Sequence, residues 1–232
     1  KIDLYSDNIG FVEYVSHMGS DVTVVNSARV SFGQHTSDLS DADKRLISYL
    51  IKHRHTSTLE HCVVTLRFKV PLFIRSQHHR HRTWSYNEIS RRYTEFNLEF
   101  YEPEQFRRQS KSNRQASVDE WFNPEFEVAD YPVCASELLK QHHDASLYVY
   151  NKLLELDVCR EQARGVLPQN LYTEYYGTCN LNNLLKFIDL RLHSGAQWEI
   201  QQVAQACLEI LQELFPETIK AYMKIKNDDK NN

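Results

Sequence analysis

The chain has 232 residues, of which 41% are hydrophobic and 12% aromatic, and its formal net charge is −4. This length and apolar content suffice for a single folded domain spanning residues 1–232. Six glycines and six prolines are too few for a fibrous or low-complexity chain. A mildly acidic protein usually lacks the broad basic face that binds nucleic acid, so we expect no nucleic-acid partner.

Cysteine usage and the lack of long apolar runs indicate the cellular compartment. The five cysteines are an odd number at wide spacings, with no Cys-x-x-Cys pair. We therefore expect reduced thiols in a cytoplasmic protein rather than a disulfide framework or a zinc site. No apolar signal segment follows Lys1, and no run approaches the roughly eighteen apolar residues of a membrane span. The sequence thus predicts no membrane partner.

The first part of the chain alternates between two hydrophobic periods. Apolar residues at every second position indicate strands, whereas spacings of three and four indicate helices. The predicted elements are a hairpin or two short strands in 1–18, a short helix from 21 to a stop at Gly33, a helix from 40 to about 53, a strand at 64–70, a short helix at 72–79 and a strand at 97–101. Ser40 and the acids that follow it are typical of a helix N-terminus.

The second part begins with a polar, basic segment, 103–135, which we interpret as a surface insertion with little to bury. Helices and one further strand follow it. They are a helix from 136 to about 157, a short helix at 160–165, a strand at 171–178, and helices at 181–192 and 196–214, before an expected frayed tail at 226–232. Asn180 is a suitable N-cap for the helix after it.

Three histidines and a glutamate lie within residues 53–61. These residue types can bind metals, but their spacing is neither His-Glu-x-x-His nor a closed tetrahedral pattern. We therefore expect no metal, and instead a capped turn or a histidine that faces a ligand cleft.

The most unusual segment is Arg80–Tyr93, which holds four arginines, one histidine and one glutamate but no glycine or proline. Arginine forks bind phosphate or carboxylate oxygens, and crowded guanidinium groups repel one another unless anions lie between them. The segment therefore predicts a site for an anionic ligand, oriented by Glu88, Asn87 and the serines. A solvated basic loop is the simpler alternative. The interleaved Trp84 and Tyr86 favour a half-buried position in a cleft.

The same segment resembles the signature Arg-His-Arg-x-x-Ser-x-Asn-x-x-Ser-x-Arg-Tyr of the flavin-dependent thymidylate synthases, with every fixed position met between Arg80 and Tyr93. Other blocks of the chain are similar to that family in order and spacing. They are 28–31, 55–61, 166–168 with 170–172, and 196–200. The insertion at 103–135 has no matching block. Three positions depart from the family pattern: Gly195 replaces a common histidine, and Asn182 and Lys186 stand where other members often carry different residues.

The resemblance implies a fold and an activity. The fold would be α+β, with a central, mainly antiparallel or mixed sheet flanked by helices. Subunits would form a homotetramer with FAD bound and active sites placed where they meet. The activity would be methylation of dUMP to dTMP, with carbon from methylenetetrahydrofolate and reducing equivalents from NADPH through the flavin. No cysteine nucleophile would act on the uracil.

The resemblance also implies roles for individual residues. The residues expected to bind FAD are Arg80, His81, Arg82, Ser31, Glu88 and Asn180. The residues expected to bind dUMP are Gln77, Glu88, Ser90, Arg91, Arg92, Arg164 and Arg191. Two residues would be catalytic: Arg191 would stabilise negative charge on the uracil, and His55 would lie near the flavin and the folate. Ser90 would be a ligand contact and not a nucleophile, because no histidine base stands at a recognisable offset.

Two other classes of function are compatible with the residues alone. One is a nucleotide-binding or nucleic-acid-binding module without chemistry, built on the arginines and aromatics of 80–93. The other is a histidine-metal hydrolase built on 53–61 and 78–81.

Overall fold

A computed structural model describes residues 1–114 and 116–230. The strands within this part of the chain are β1 (Ile2–Asp3), β2 (Phe11–Met18), β3 (Val63–Pro71), β4 (Ser85–Glu88), β5 (Phe106–Gln109), β6 (Ser117–Phe122), β7 (Glu125–Val128), β8 (Tyr131–Cys134) and β9 (Tyr172–Asn180). The helices are α1 (Asp21–Arg29), α2 (Asp41–Lys52), α3 (Leu72–His78), α4 (Ala135–Glu155), α5 (Arg160–Ala163), α6 (Leu181–Arg191), α7 (Trp198–Leu214) and α8 (Pro216–Lys230). Short 3-10 turns cover Val30–Phe32, Thr56–Leu59 and Arg164–Val166.

Five strands form the central sheet in the order β1-β2-β3-β9-β4, and every neighbouring pair is antiparallel. The two long strands β3 and β9 lie at its centre, where β3 alternates between buried and half-buried residues. Its buried side chains, Val64, Leu66, Phe68 and Val70, belong to one core with residues of α6 and α7. Burial of such apolar surface is the main stabilising contribution to a domain of this size. The expected α+β fold with a mainly antiparallel sheet is confirmed.

Two stretches of the middle of the chain differ from the prediction. The strand expected at 97–101 is reduced to a single antiparallel bridge between Phe100 and Leu171, just before β9 begins. Conversely, part of the predicted loop 80–93 is the edge strand β4. β4 forms because its backbone groups pair with those of β9, and not because its residues make an apolar face.

The insertion and the C-terminal end are more ordered than expected. Residues 103–135 contain two antiparallel hairpins, β5–β6 and β7–β8. The frayed tail expected at 226–232 is helical as far as Lys230, and residues 231–232 lie outside the described range. Helix α8 is stabilised at its start by Asp21, whose carboxylate accepts the backbone N–H groups of Glu217 and Thr218 at 2.9 Å each. No helix in the described part of the chain is both long and apolar enough to cross a membrane.

Candidate active site

The segment Arg80–Tyr93 follows α3 and is held to the core by aromatic side chains. Trp84 is buried, with its ring centroid 4.6 Å from that of His78 and 5.6 Å from that of Phe187. The hydroxyl of Tyr86 lies 3.0 Å from the carbonyl oxygen of His78 and 3.1 Å from that of His81. The interleaved aromatics are therefore anchors, as the half-buried interpretation of this segment predicts, and Arg80, Arg82 and Arg92 remain exposed.

Gly177 of β9 explains how this segment comes so close to the sheet. A Cβ atom at this position would lie 2.9 Å from the ring of Phe68 and 3.2 Å from that of Trp84. Because real Cβ atoms almost never approach so closely, any larger residue would displace Trp84. Gly177 also pairs with Tyr86 across the ladder.

Three of the predicted site residues meet at one point. The Nε of Arg191 donates to Nε2 of His81 at 3.1 Å, and its Nη2 donates to the backbone oxygen of Gln77 at 3.0 Å. Burial, and secondarily the charge of Arg191, lowers the pKa of His81 to about 4. His81 is therefore neutral at neutral pH, which agrees with its role as an acceptor. Burial also lowers the pKa of Arg191, although an arginine remains cationic at neutral pH.

Arg191 keeps unused donor capacity. A guanidinium has five N–H groups; two of them are used by His81 and Gln77, which leaves three without an acceptor in the described part of the chain. A half-buried cation with free donors is suited to binding a negatively charged oxygen.

Glu88 occupies the end of β4 and is already engaged within the chain. Its Oε1 accepts a hydrogen bond from Thr173 at 2.6 Å and forms an ion pair with Nε of Arg75 at 3.2 Å. Ligand contacts by this carboxylate would therefore use its second oxygen. Neither Arg75 nor Thr173 was predicted as a neighbour, because no local pattern joins them to Glu88.

Arg91 is bound to the backbone of neighbouring segments. Its guanidinium donates to the backbone oxygens of Phe96, Asn97 and Tyr172 at 2.5, 3.0 and 3.4 Å. These bonds tie the turn after β4 to the start of β9. The side chain that we expect to bind substrate thus uses three of its five N–H groups on backbone oxygens, and its buried Nε has no partner among the described residues.

The remaining arginines of the predicted site are exposed. Arg80 and Arg82 have no carboxylate partner among the described residues, and Arg164 is exposed at the end of α5. Arg92 lies beside the same helix, with its Nη2 3.8 Å from Oε2 of Glu161. Ser90 makes the turn between these parts, and its hydroxyl accepts the backbone N–H of Arg92 at 3.3 Å.

Ser31, His55 and Asn180 lie apart from this segment. Ser31 is exposed in the 3-10 turn after α1, and His55 is exposed after α2 with its ring 5.7 Å from that of Tyr49. Asn180 caps α6, since its Oδ1 accepts the backbone N–H of Asn183 at 2.9 Å. Within the described ranges, no hydrogen bond or ion pair connects these three residues to Arg80–Tyr93.

A groove of about 910 Å³ between α2, α6 and α8 was missed by the sequence analysis. It is lined by residues that include Lys52, Arg54, Asn182, Lys186 and Lys226. At its wall, Nδ2 of Asn182 donates to Oε1 of Glu60 at 2.9 Å. The departures at Asn182 and Lys186 were visible in the sequence, but the groove depends on α8, which was not predicted.

The cysteines lie outside this segment, and three of them are buried. All five thiols are free, and burial raises the pKa of Cys62 to about 11 and those of Cys179 and Cys207 further. In residues 1–114 and 116–230, no three His, Cys, Asp or Glu side chains are grouped so as to hold a metal ion.

Comparisons with known proteins agree with this geometry. Residues 13–217 match the model of the family described as thymidylate synthase complementing protein. The chain is 46% identical over 207 residues to the flavin-dependent thymidylate synthase of Thermus thermophilus, which covers 89% of this chain and 73% of that protein. It is 41% identical over 215 residues to the one from Thermosipho melanesiensis, covering 93% and 91%.

Solved structures give the same result. A crystal structure of a UMP/dUMP methylase from Streptomyces cacaoi bound with 5-Br UMP has a TM-score of 0.79 and 32% identity, and the match covers 97% of both chains. The structure bound with 5-Br dUMP has a TM-score of 0.78, with 96% of this chain and 97% of that one covered. The chain therefore belongs to the flavin-dependent thymidylate synthase family.

Proposed function

We propose that this protein methylates dUMP to dTMP, with methylenetetrahydrofolate as the carbon donor and NADPH as the reductant acting through FAD. The observation that carries the proposal is the half-buried Arg191 side chain, which binds His81 and Gln77 and has three N–H groups without an acceptor in the described part of the chain. Arg80 and Arg82, the exposed residues on either side of His81 in the sequence, are suited to an anionic ligand. Family membership supplies the reaction class.

The residues that we expect to bind FAD lie mostly before β4, with Glu88 and Asn180 in addition. Arg80 and Arg82 are exposed without acidic partners among the described residues, so their forks are available for a pyrophosphate. Asn180 uses its Oδ1 in the cap of α6, which leaves its Nδ2 to donate to a ligand. Ser31, His81 and the second oxygen of Glu88 complete the expected set. When bound, the flavin supplies the hydride that reduces the transferred one-carbon unit.

The residues after β4 fit the nucleotide. Arg92 lies near Glu161 of α5, and Arg164 directly follows that helix, so we expect these two guanidinium groups to bind the 5′-phosphate. Ser90 and the side-chain amide of Gln77 would contact the polar parts of the nucleotide. Arg91 would contribute indirectly, by holding the turn on which Arg92 stands.

The chain's own residues would promote the reaction by electrostatics. Arg191 would donate to the uracil oxygen on which negative charge develops. A fixed donor stabilises such charge more strongly in a site from which most water is excluded. Neutral His81 orients Arg191 without adding a second positive charge. Burial raises the pKa of each of the three buried thiols, which is compatible with a reaction that uses no cysteine nucleophile. His55 would face the folate.

We further propose that the active protein is a homotetramer in which subunits share the sites. Large apolar side chains are exposed next to the expected ligand residues: Val30 and Phe32, at 69% and 81% exposure, flank Ser31, and Tyr93 and Phe96, at 79% and 70%, follow Arg92. Contiguous exposed apolar groups of this kind mark interaction sites. A second subunit would also bring Ser31 and Asn180 to a ligand that one chain holds at Arg80.

The proposal is tested with the purified protein. We expect a flavin absorption spectrum and release of tritium from C5-labelled dUMP only when methylenetetrahydrofolate and NADPH are both present. UMP should be tested beside dUMP, because the similar solved structures are named for both nucleotides. Protein that cannot be reconstituted with FAD, or that binds oligonucleotides with steep salt dependence but not dUMP, would refute the proposal.

A further inference from the structure

The insertion carries one side chain that reaches the interior of the molecule. Arg107 of β5 donates from Nη2 to both carboxylate oxygens of Glu199, at 2.9 and 2.8 Å. The two side chains are only 13% and 7% exposed. The guanidinium lies 5.1 Å from the ring centroid of Trp121 and 5.2 Å from that of Trp198. An ion pair so far removed from water and flanked by two indoles differs from the exposed pairs of the surface.

Hydrogen bonds lead from this ion pair to the candidate active site. Nε2 of Gln197 donates to Oε2 of Glu199 at 2.9 Å, and Nε2 of Gln77 donates to Oε1 of Gln197 at 2.5 Å. We call Arg107, Glu199, Gln197 and Gln77 the Arg107–Gln77 network. Gln77 is also the residue whose backbone oxygen binds Arg191.

The charge at one end of this network determines the orientation of both amides. The oxygen and nitrogen of a side-chain amide are interchangeable by shape, so their positions follow from the hydrogen bonds. An ionised carboxylate only accepts, so Gln197 turns its NH₂ group toward Glu199 and its oxygen toward Gln77. Gln77 must then donate to Gln197, and its own Oε1 remains as the acceptor for a ligand.

We propose that Arg107 is a positioning residue that acts through Glu199 and Gln197 to present the side-chain oxygen of Gln77 to the nucleotide. The inference rests on the proposed function, in which Gln77 binds dUMP. A nucleotide offers ring N–H and sugar O–H donors that match such an oxygen. The segment 103–135, which carries Arg107, would thereby contribute to substrate binding.

The experiment measures dUMP affinity by calorimetry on the FAD-loaded protein. Arg107→Gln should weaken dUMP binding about tenfold, the effect of losing one well-oriented hydrogen bond. Arg108→Gln is the matched control, because Arg108 is the next residue of β5 and its ion pair with Glu120 is exposed. It should leave dUMP affinity unchanged. Flavin content and melting temperature are recorded for both variants.

A double-mutant cycle separates positioning from general damage. In a Gln77→Ala background, Arg107→Gln should have no further effect on dUMP affinity, since no amide is left to orient. A loss that persists in that background would overturn the inference. If Arg107→Gln does not fold, Gln197→Met interrupts the network while keeping the ion pair, and the same cycle applies to it.

The outcomes distinguish a failure of this inference from a failure of the proposed function. If the unaltered protein binds dUMP and both network variants bind it equally well, the inference fails and the proposed function stands. If the unaltered FAD-loaded protein does not bind dUMP, the proposed function fails and the inference fails with it.

Discussion

Arg191→Ala tests the centre of the proposed site most directly, because this side chain makes structural hydrogen bonds and is the one to which we assign a chemical role. Its two hydrogen bonds reach His81 and the backbone of Gln77. A hydrogen bond to a charged group contributes about 1.5–3 kcal/mol when buried, and partial exposure reduces this to about 1 kcal/mol each. The free energy of unfolding should therefore fall by about 2 kcal/mol, which lowers the melting temperature of a chain of this size by about 4–8 °C.

The chemical effect of the same change should be larger. Removal of one donor to a developing negative charge lowers kcat by about 10²–10³. Tritium release from C5-labelled dUMP measures this rate, and the absorption spectrum reports whether FAD stays bound. We expect FAD to remain, because the residues proposed to hold its pyrophosphate precede β4. Arg191→Lys is the matched control, because it keeps the charge but cannot make both hydrogen bonds. Its rate should lie between the rates of the unaltered protein and of Arg191→Ala.

His81 provides an independent measure of the same perturbation. Because the charge of Arg191 contributes to lowering the pKa of His81 to about 4, the pKa should rise toward its usual value in Arg191→Ala. The imidazole resonances in a pH titration by NMR report this shift. A variant that keeps more than a tenth of the activity, or loses FAD while still methylating dUMP, would refute the role proposed for Arg191.

Three further predictions concern other parts of the site. His81 has a pKa of about 4 in the folded protein and about 6.5 in the unfolded chain. As the pH falls from about 6.5 to about 4, the unfolded chain binds a proton that the folded protein does not. The free energy of unfolding should therefore decrease by about 1–2 kcal/mol over this range. Urea titration measures this loss, which His81→Gln should reduce; an unchanged pH profile would contradict the assignment. Arg80→Ala should lower FAD occupancy after gel filtration, with Arg45→Ala on α2 as the exposed control, and full occupancy would speak against it. Arg91→Lys should lower the melting temperature by about 4–8 °C and raise KM for dUMP with little change in kcat, because a single ammonium nitrogen cannot reproduce the contacts that the two terminal guanidinium nitrogens make. A fall in kcat without loss of stability would instead make Arg91 a direct substrate contact.

Elements determined by neighbouring residues were predicted well. Helix α2 begins after Ser40 because the backbone N–H of Ser40 donates to Asp43 at 2.9 Å and the Ser40 hydroxyl accepts in return from the backbone of Asp43. Both residues of this capping box lie within one turn, so the sequence displays it. The alternation of β3 is equally local, since each of its inward side chains meets the same core.

Elements determined by distant partners were not predicted. β4 is a strand only because β9, far along the chain, offers an unpaired edge. Helix α8 begins at Pro216, where the sequence suggests only the end of α7, and its first N–H groups are bound by Asp21 at the other end of the chain. Arg107 shows the same limitation at the site: a basic residue in a polar insertion gives no local sign that Glu199 lies beside it.

The length of β4 bears on how many anions the arginines of Arg80–Tyr93 can bind. Two arginines, Arg80 and Arg82, precede this strand, and Arg92 follows it. A strand of four residues is about 13 Å long, at about 3.3 Å per residue. A single phosphate or pyrophosphate is too small to be bound at both ends of such a strand. The edge strand, anchored by Trp84 and Tyr86, would therefore keep the two proposed anion sites apart, with Arg191 bound to His81 at the end of the strand that follows Arg80 and Arg82. This separation is what a reaction between a bound cofactor and a bound nucleotide requires.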